Sequence, residues 1–353
     1  MSVKWTALLW LFFVTPIFAQ GFAGLGTSSE GIFATPAPNP AFSFPADHGA
    51  HPEFRIEWWY LTATLTGDDG QDYGAQWTLF RSALGPGQKD GWSSPQIWMG
   101  NAGLTSAESH VFAERLARDG VGQAGVLTDP FIAWIDDWKM ENTAGDGADA
   151  LSELSVSAGG LDWSYALSLT ASGPLVLQGQ DGYSIKSETG QASYYYSQPF
   201  YQVRGSIDRN GKAVQVSGQA WLDREWSSQP LGVNQSGWDW FSLHLDSGEK
   251  VMGFRLRDSV DGEFTSATWI SAEGVPTPLP DGALQIKPLR TAEVAGRAVP
   301  VEWQMRIPSR DLDIKTTPLN DISWLATVFP YWEGPIRFSG SHSGRGYLEM
   351  TGY

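Results

Sequence analysis

Seven stretches of this chain alternate apolar and polar residues with a period of two, and that alternation is the feature that most restricts its fold. They are "WYLTATL", "YGAQWTLF", "SYALSLTA", "KAVQVSGQAWL", "FSLHL", "KVMGFRLR" and "GYLEM". Successive side chains of a strand point to opposite faces, so a period of two describes a sheet with one apolar face. Turn-forming clusters, "GDDG", "DRNG" and "DSGE", separate the stretches. The pattern predicts an all-β chain. One short helix is expected, over "SAESHVFAERLARDG", where Val111, Phe112 and Leu116 fall near helical spacing.

At 353 residues the chain exceeds one ordinary core, and about 150 residues per domain gives roughly two. A weak internal repeat agrees. Glu57-Trp58-Trp59 can be laid over Asp239-Trp240-Phe241: each triplet opens an alternating strand, passes a Gly-containing turn and returns to an apolar-Arg pair, Phe80-Arg81 or Leu256-Arg257. The boundary is expected near Gln229–Asn234, giving an N-terminal unit over 38–230 and a C-terminal one over 231–353. Residues 1–19, "MSVKWTALLWLFFVTPIFA", hold one cation, an apolar run from Trp5 to Val14, and small Ala19 at the end, as a cleaved secretory signal does. Export to the periplasm follows as the expectation, with cleavage near Ala19–Gln20. The Gly, Pro and Ser of "GFAGLGTSSEGIFATPAPNPAFSF" lack a sustained period, so residues 20–37 read as a linker or strap.

Cysteine is absent, which removes disulfides, catalytic thiols and Cys-ligated metals from consideration. The formal charge of −16 becomes −17 once Lys4 leaves with the leader, which disfavours nucleic acid and anionic lipid as partners. Of 18 Trp only Trp5 and Trp10 lie in the leader. Indoles at this density point to β cores, aromatic-lined pockets or sugar-stacking surfaces.

"RIEWWYLTATL" carries the sharpest anomaly. Parity puts Glu57 on one face with Trp59, Leu61, Ala63 and Leu65, and Trp58, Tyr60, Thr62 and Thr64 on the other. A carboxylate on an apolar face must be paired, hydrogen-bonded or neutral. In "VQVSGQAWLDREW" Arg224 shares a face with Val214, Val216, Leu222 and Trp226, whereas Asp223 and Glu225 lie opposite with Trp221. An internal ion-pair network of Glu57 with an Arg such as Arg224 is therefore one reading, and an acid site the other. A bulge would swing Asp223 or Glu225 inward. Asp239 shares a face with Phe241, Leu243 and Leu245, and "SYYYSQP" offers the hydroxyls of Tyr194, Tyr195 and Tyr196 for a ligand or for pinning a strand.

Other chemistries fit less well. "DHGAHPE" sets His48, His51 and Glu53 close together but in a loop-like context, a weak metal signal. No Gly-x-Ser-x-Gly elbow and no Gly-x-Gly-x-x-Gly turn opening a helix occurs. A glycosidase would require two carboxyls at a set separation that sequence does not give.

Taken in order, "FPADHGAHPEFRIEWWYLTATL", "YYYSQPFYQVRGSI", "GQAWLDREW", "GWDWFSLHL" and "YWEGPIRFSGSHSGRGYLEMTGY" resemble the hydroxyneurosporene synthase, or carotenoid 1,2-hydratase-like, family, over about residues 38 to 353. Its bacterial members include AttH-type proteins. The resemblance implies two lipocalin-like β-barrel domains packed together, and hydrophobic ligands such as lipids or isoprenoids. Some members add water to isoprenoid double bonds, fungal relatives include cyclases, and AttH-type members are often encoded beside ABC-transporter components. Hydratases of the family carry His around the acid equivalent to Asp223, where this chain has Leu222, Arg224 and Glu225; that departure sets it closer to the AttH type.

The expectation is an exported protein that binds a hydrophobic small molecule and serves beside ABC-transporter components, without cofactor or metal. The competing expectation is a cofactor-independent hydratase or cyclase. Its acid chemistry would fall to Glu57, Asp223, Arg224 and Glu225. Ligand contacts would come from His48, Trp58, Trp59, Tyr60, Tyr195, Tyr196, Trp226, Trp238, Asp239 and Trp240.

Overall fold

The structure, a computed structural model, describes residues 33–353 except 146, 230, 233 and 261. The leader read over residues 1–19 lies outside the described residues. A first sheet takes the strands β1 (Ile56–Gly67), β2 (Asp72–Ala83), β3 (Gln96–Ser106), β4 (His110–Arg118), β5 (Ala124–Thr128), β6 (Phe131–Ile135) and β7 (Trp138–Asn142). It continues with β8 (Glu153–Gly159), β9 (Trp163–Ala171), β10 (Val176–Leu177), β11 (Tyr183–Ile185), β12 (Ala192–Arg209) and β13 (Lys212–Ser227). A second sheet holds β14 (Gln235–Leu245), β15 (Lys250–Asp258), β16 (Gly262–Ile270), β17 (Pro276–Leu279) and β18 (Gln285–Val294). Its remaining strands are β19 (Arg297–Ile307), β20 (Leu312–Pro318), β21 (Trp324–Leu325), β22 (Tyr331–Gly340) and β23 (Gly344–Thr351).

Every strand pair is antiparallel, and each sheet curls into a lipocalin-like barrel or half-barrel. In the first, β6 packs across the interior against β2, β3 and β4. In both sheets the opening strand is hydrogen-bonded to the strand that follows it and to the last one: β1 to β2 and β13, β14 to β15 and β23. The repeat seen in the sequence is thus a repeat of topology. It places Glu57 opposite Arg81, and Asp239 opposite Arg255.

Parity held along β1. Trp59, Leu61, Ala63 and Leu65 face the core of the first barrel, which they share with Trp77, Leu79, Trp138, Leu167, Leu222 and Trp226. Phe241, Leu243 and Leu245 do the same in the second barrel with Trp303, Trp332 and Met350. The outer faces of the two opening strands are covered as well. Tyr60, Tyr195, Phe200 and Trp221 of the first sheet meet Trp240, Met252, Phe254 and Tyr347 of the second in a core between the sheets. That core is why "EWWY" can be apolar on both faces: one buries inside its own barrel, the other against the neighbouring sheet.

The helix expected over Ser106–Gly120 is not formed. His110–Arg118 is strand β4, paired from Thr105↔His110 to Ile97↔Arg118 with β3. Three apolar residues at roughly helical spacing do not outweigh a full backbone ladder against a long neighbour, and Leu116, which a helical stripe would bury, is exposed. The segment from Phe33 to Pro45 has no strand. It straps the first barrel through Ala34 N donating to Glu53 O (2.9 Å), Ala37 N donating to the Tyr194 hydroxyl (3.0 Å), and Arg55 lying over the Phe33 ring.

Candidate functional site

The sequence-selected residues divide between two places, because β1 and β13 lie side by side in register and alternate together. Glu57, Trp59, Arg224 and Trp226 point into the first barrel, whereas Trp58, Tyr60, Asp223 and Glu225 point at the second sheet, with Tyr60 opposite Asp223 and Trp58 opposite Glu225.

The inward set is an ion-pair network. Glu57 is fully buried, and Arg81 Nε donates to its Oε1 while Arg224 Nη2 donates to Oε2 at 3.3 Å. His51 adds its backbone N–H at 2.8 Å and its ring at 3.0 Å. Arg81 also donates to the carbonyls of His51 (2.7 Å) and Phe54 (2.8 Å) and to Gln96 Oε1. Arg224 caps the carbonyls of Trp58 (2.9 Å) and Gly49 (2.6 Å) and stacks over Trp59 and Trp226. Burial opposes the charge on Glu57, but Arg81, His51 and Arg224 together hold its carboxyl well below the usual range. It stays ionised and offers no proton.

His48 and Tyr196 belong to the same structural end of the barrel. His48 Nδ1 lies 2.7 Å from the Tyr196 hydroxyl, its carbonyl accepts from Trp59 Nε1 (2.9 Å), and burial lowers its ring to about 4. Asp239 plays the Glu57 role in the second barrel, accepting from Arg255 Nε (2.9 Å), Arg257 Nη1 (2.5 Å) and the Tyr353 hydroxyl (2.8 Å). None of these residues lines the cavity described next.

That cavity lies between the sheets. Its walls are Ile56, Trp58, Phe80, Leu231, Trp238, Trp240, Phe254 and Leu256, into which Tyr60, Asp223, Glu225, Glu349 and Lys186 project. It admits the centre of a water-sized sphere over about 130 Å³, many times the roughly 10–15 Å³ that one water needs. Asp223 is buried and triply bonded: it accepts from the Tyr195 hydroxyl (2.7 Å), the Ser197 hydroxyl (2.5 Å) and Trp221 Nε1 (2.6 Å). Burial nevertheless pushes its carboxyl up to about 7, helped by the Glu225 charge and opposed by those three donors. Trp240 Nε1 donates to Tyr195 (3.2 Å), so the second sheet holds the residue that orients the acid on the first.

Facing it from β23, Glu349 accepts from Trp238 Nε1 at 2.7 Å. Burial raises this carboxyl to about 7 too, against hydrogen bonds from Trp238 and Tyr60 and with a push from Glu225. Behind Glu349 the Tyr60 hydroxyl donates to Glu333 Oε1 at 2.5 Å, and burial with the Glu349 charge lifts Glu333 well above the carboxylate range. Glu225 is matched instead by Lys186, whose Nζ lies 2.6 Å from its Oε1. An apolar, aromatic cavity holding carboxyls that keep protons near neutral pH can deliver a proton to a hydrophobic molecule, and its indole faces can stabilise a cation formed there.

A family model for AttH-like proteins matches residues 35–353. The chain belongs to the AttH-like family. Among solved structures, a protein from Nitrosomonas europaea described as AttH is 34% identical with a TM-score of 0.80, over 91% of this chain and 100% of that one. Kievitone hydratase from Nectria haematococca superposes with a TM-score of 0.67 at 18% identity over 92% and 96% of the two chains. CghA does so with a TM-score of 0.50 at 12% over 91% and 96%, and these two likenesses concern the fold. No curated protein matches the chain.

This AttH-like chain carries four site residues that sequence parity alone did not single out: Lys186, Glu333, Glu349 and Arg81. Arg81 was visible in the repeat but not assigned as the partner of Glu57. Glu349 stands on the face of "YLEM" opposite Leu348 and Met350, which reads as solvent-facing until a second sheet covers it.

Proposed function

We propose that this AttH-like protein binds a hydrophobic small molecule in the cavity between its sheets and protonates it from Asp223, in a cofactor-independent hydration, isomerisation or cyclisation. One observation carries the reading: Asp223 and Glu349, one from each sheet, stand on the wall of a cavity to which Trp58, Phe80, Trp238, Trp240 and Phe254 contribute aromatic rings. A cavity that merely stored an apolar molecule would gain nothing from desolvated carboxyls, which cost stability. For a hydration, the Asp223 O–H proton and an alkene electron pair form the new C–H bond. The carbocation then takes the oxygen of a water, and the water's spare proton returns to a carboxylate of the cavity. Tyr195, Ser197 and Trp221 orient Asp223. Export by the leader over residues 1–19 would place this work in the periplasm.

A second reading, binding and delivery beside a transporter without turnover, is favoured by the absence of His from the described residues that line the cavity. Native mass spectrometry of the purified protein and of Asp223→Asn, followed by organic extraction, separates the two. A catalyst retains product in the wild type and an unconverted precursor in Asp223→Asn, lighter by one water for a hydration. A carrier retains the same molecule in both. Loss of any retained molecule from both, with none taken up from a lipid extract, overturns the ligand reading.

A further inference from the structure

The charges around the cavity select among hydrophobic ligands. Among the described residues lining it, Lys186 is the one cation, set against Asp223, Glu225 and Glu349. Its ammonium is already engaged: Nζ lies 2.6 Å from Glu225 Oε1 and sits over the rings of Phe254 (4.4 Å) and Tyr195 (4.8 Å). Glu225 in turn takes the hydroxyl of Ser193. A second cavity shares the walls Gln191, Gln235 and Leu256 with the first, and the described residues on its other sides include Glu188, Asp258 and Glu263 and no Lys or Arg. Arg255, the cation bound to Glu263, is held at the same time by Asp239.

The geometry points to an uncharged ligand, apolar with at most a hydroxyl, carbonyl or ether group, and to exclusion of carboxylates of the fatty-acid kind by the Lys186–Glu225 pair; this rests on the ligand reading above. A carboxylate entering the cavity would leave water, find no free cation and, at the alkaline pH where Asp223 and Glu349 are ionised, meet their charges as well as Glu225, a like-charge juxtaposition that disfavours binding strongly. A neutral oxygen instead finds partners, because a protonated carboxyl donates to a carbonyl and an ionised one accepts from a hydroxyl. The pair also makes the exclusion reversible. Removing the charge of Glu225 frees an ammonium facing an apolar cavity, which is what a carboxylate lipid requires.

The test displaces the uncharged dye N-phenyl-1-naphthylamine from the full-length mature protein at pH 8 with farnesol or farnesoate, which share one hydrocarbon chain. Farnesoate is expected to bind at least about tenfold more weakly, a difference of about 1.4 kcal/mol. In Glu225→Gln the farnesol-to-farnesoate ratio should fall at least about tenfold, and adding Lys186→Met should restore it. A wild-type ratio below about tenfold overturns the inference even if the variants do not fold, and an unchanged ratio in folded Glu225→Gln overturns the role given to the pair. Failure of the dye and both ligands to bind would instead remove the ligand reading on which this one rests.

Discussion

Replacing Arg81 by Met tests the claim that the acid of "EWWY" is held by its partner and takes no part in chemistry. The substitution leaves Glu57 fully buried with only His51 and the more distant Arg224 to offset its charge, and leaves the carbonyls of His51 and Phe54 and the amide oxygen of Gln96 without their donor. Breaking a buried pair in this one-sided way costs about 3–5 kcal/mol. Urea unfolding of Arg81→Met at pH 7 should show a loss in that range, a large share of a typical domain stability of about 5–15 kcal/mol. The pH dependence has a definite sign. Because Glu57 is held below its ordinary value, the stability it contributes is present above the unfolded carboxyl pKa of about 4.3 and disappears as pH falls through the lower folded value. The deficit of Arg81→Met is therefore greatest at neutral pH and shrinks below about pH 4. Glu57→Leu combined with Arg81→Met removes both charges and should recover a coupling energy of about 2 kcal/mol in a double-mutant cycle. A single-variant cost under about 1 kcal/mol, or additive losses in the double variant, would refute the reasoning.

Other regions give their own tests. Tyr60→Phe removes the donor to Glu333, whose second oxygen is buried without a partner, and should cost about 1–3 kcal/mol by denaturation; a neutral result would contradict that contact. Gly74→Ala places a Cβ 2.5 Å from Pro335 Cγ and 2.8 Å from the Tyr347 hydroxyl, both on the second sheet, and overpacking of this kind costs about 1–3 kcal/mol. An unchanged unfolding midpoint would mean that the sheets are not packed there as described. Asp223→Asn keeps Oδ1 as acceptor for Ser197 and Trp221, replaces the oxygen facing Tyr195 by an amide NH2, and cannot ionise. Since the native carboxyl sits near 7 against 3.8 when free, the stability contributed by Asp223 should decline from pH 4 to pH 7 by about 3 kcal/mol. The variant should lose that part of the slope, measured as urea midpoints across the range; an identical slope would contradict it.

The parts of the fold that sequence made legible are those where one strand decides the matter. Alternation in Ile56–Gly67 and Lys212–Ser227 placed Glu57 and Arg224 on one face and Asp223 and Glu225 on the other, and the β1–β13 pairing continues without a bulge through those residues. The bulge between Gln198 and Tyr201 lies on β12, opposite β13, and leaves that parity intact. The sequence was misleading where a segment satisfied two periods, as His110–Arg118 did, and pairing with β3 settled it. It was silent where two sheets meet. Periodicity tells which residues share a face but not which faces cover one another, so Glu349 and Lys186 could not be joined to Asp223 and Glu225 before the sheets were seen together. The ion-pair network around Glu57 and the buried carboxyl of Asp223 lie on opposite faces of the same sheet.

The account depends most on Asp223 being a protonated acid in an apolar cavity. Following the side-chain carboxyl of Asp223 by carbon NMR in protein labelled at aspartate, with Asp223→Asn to assign the resonance, measures this directly. The structure predicts a midpoint near 7, with the acid largely protonated at pH 6. A midpoint in the ordinary aspartate range near 3.9 would leave the cavity without its proton donor and contradict the proposed chemistry.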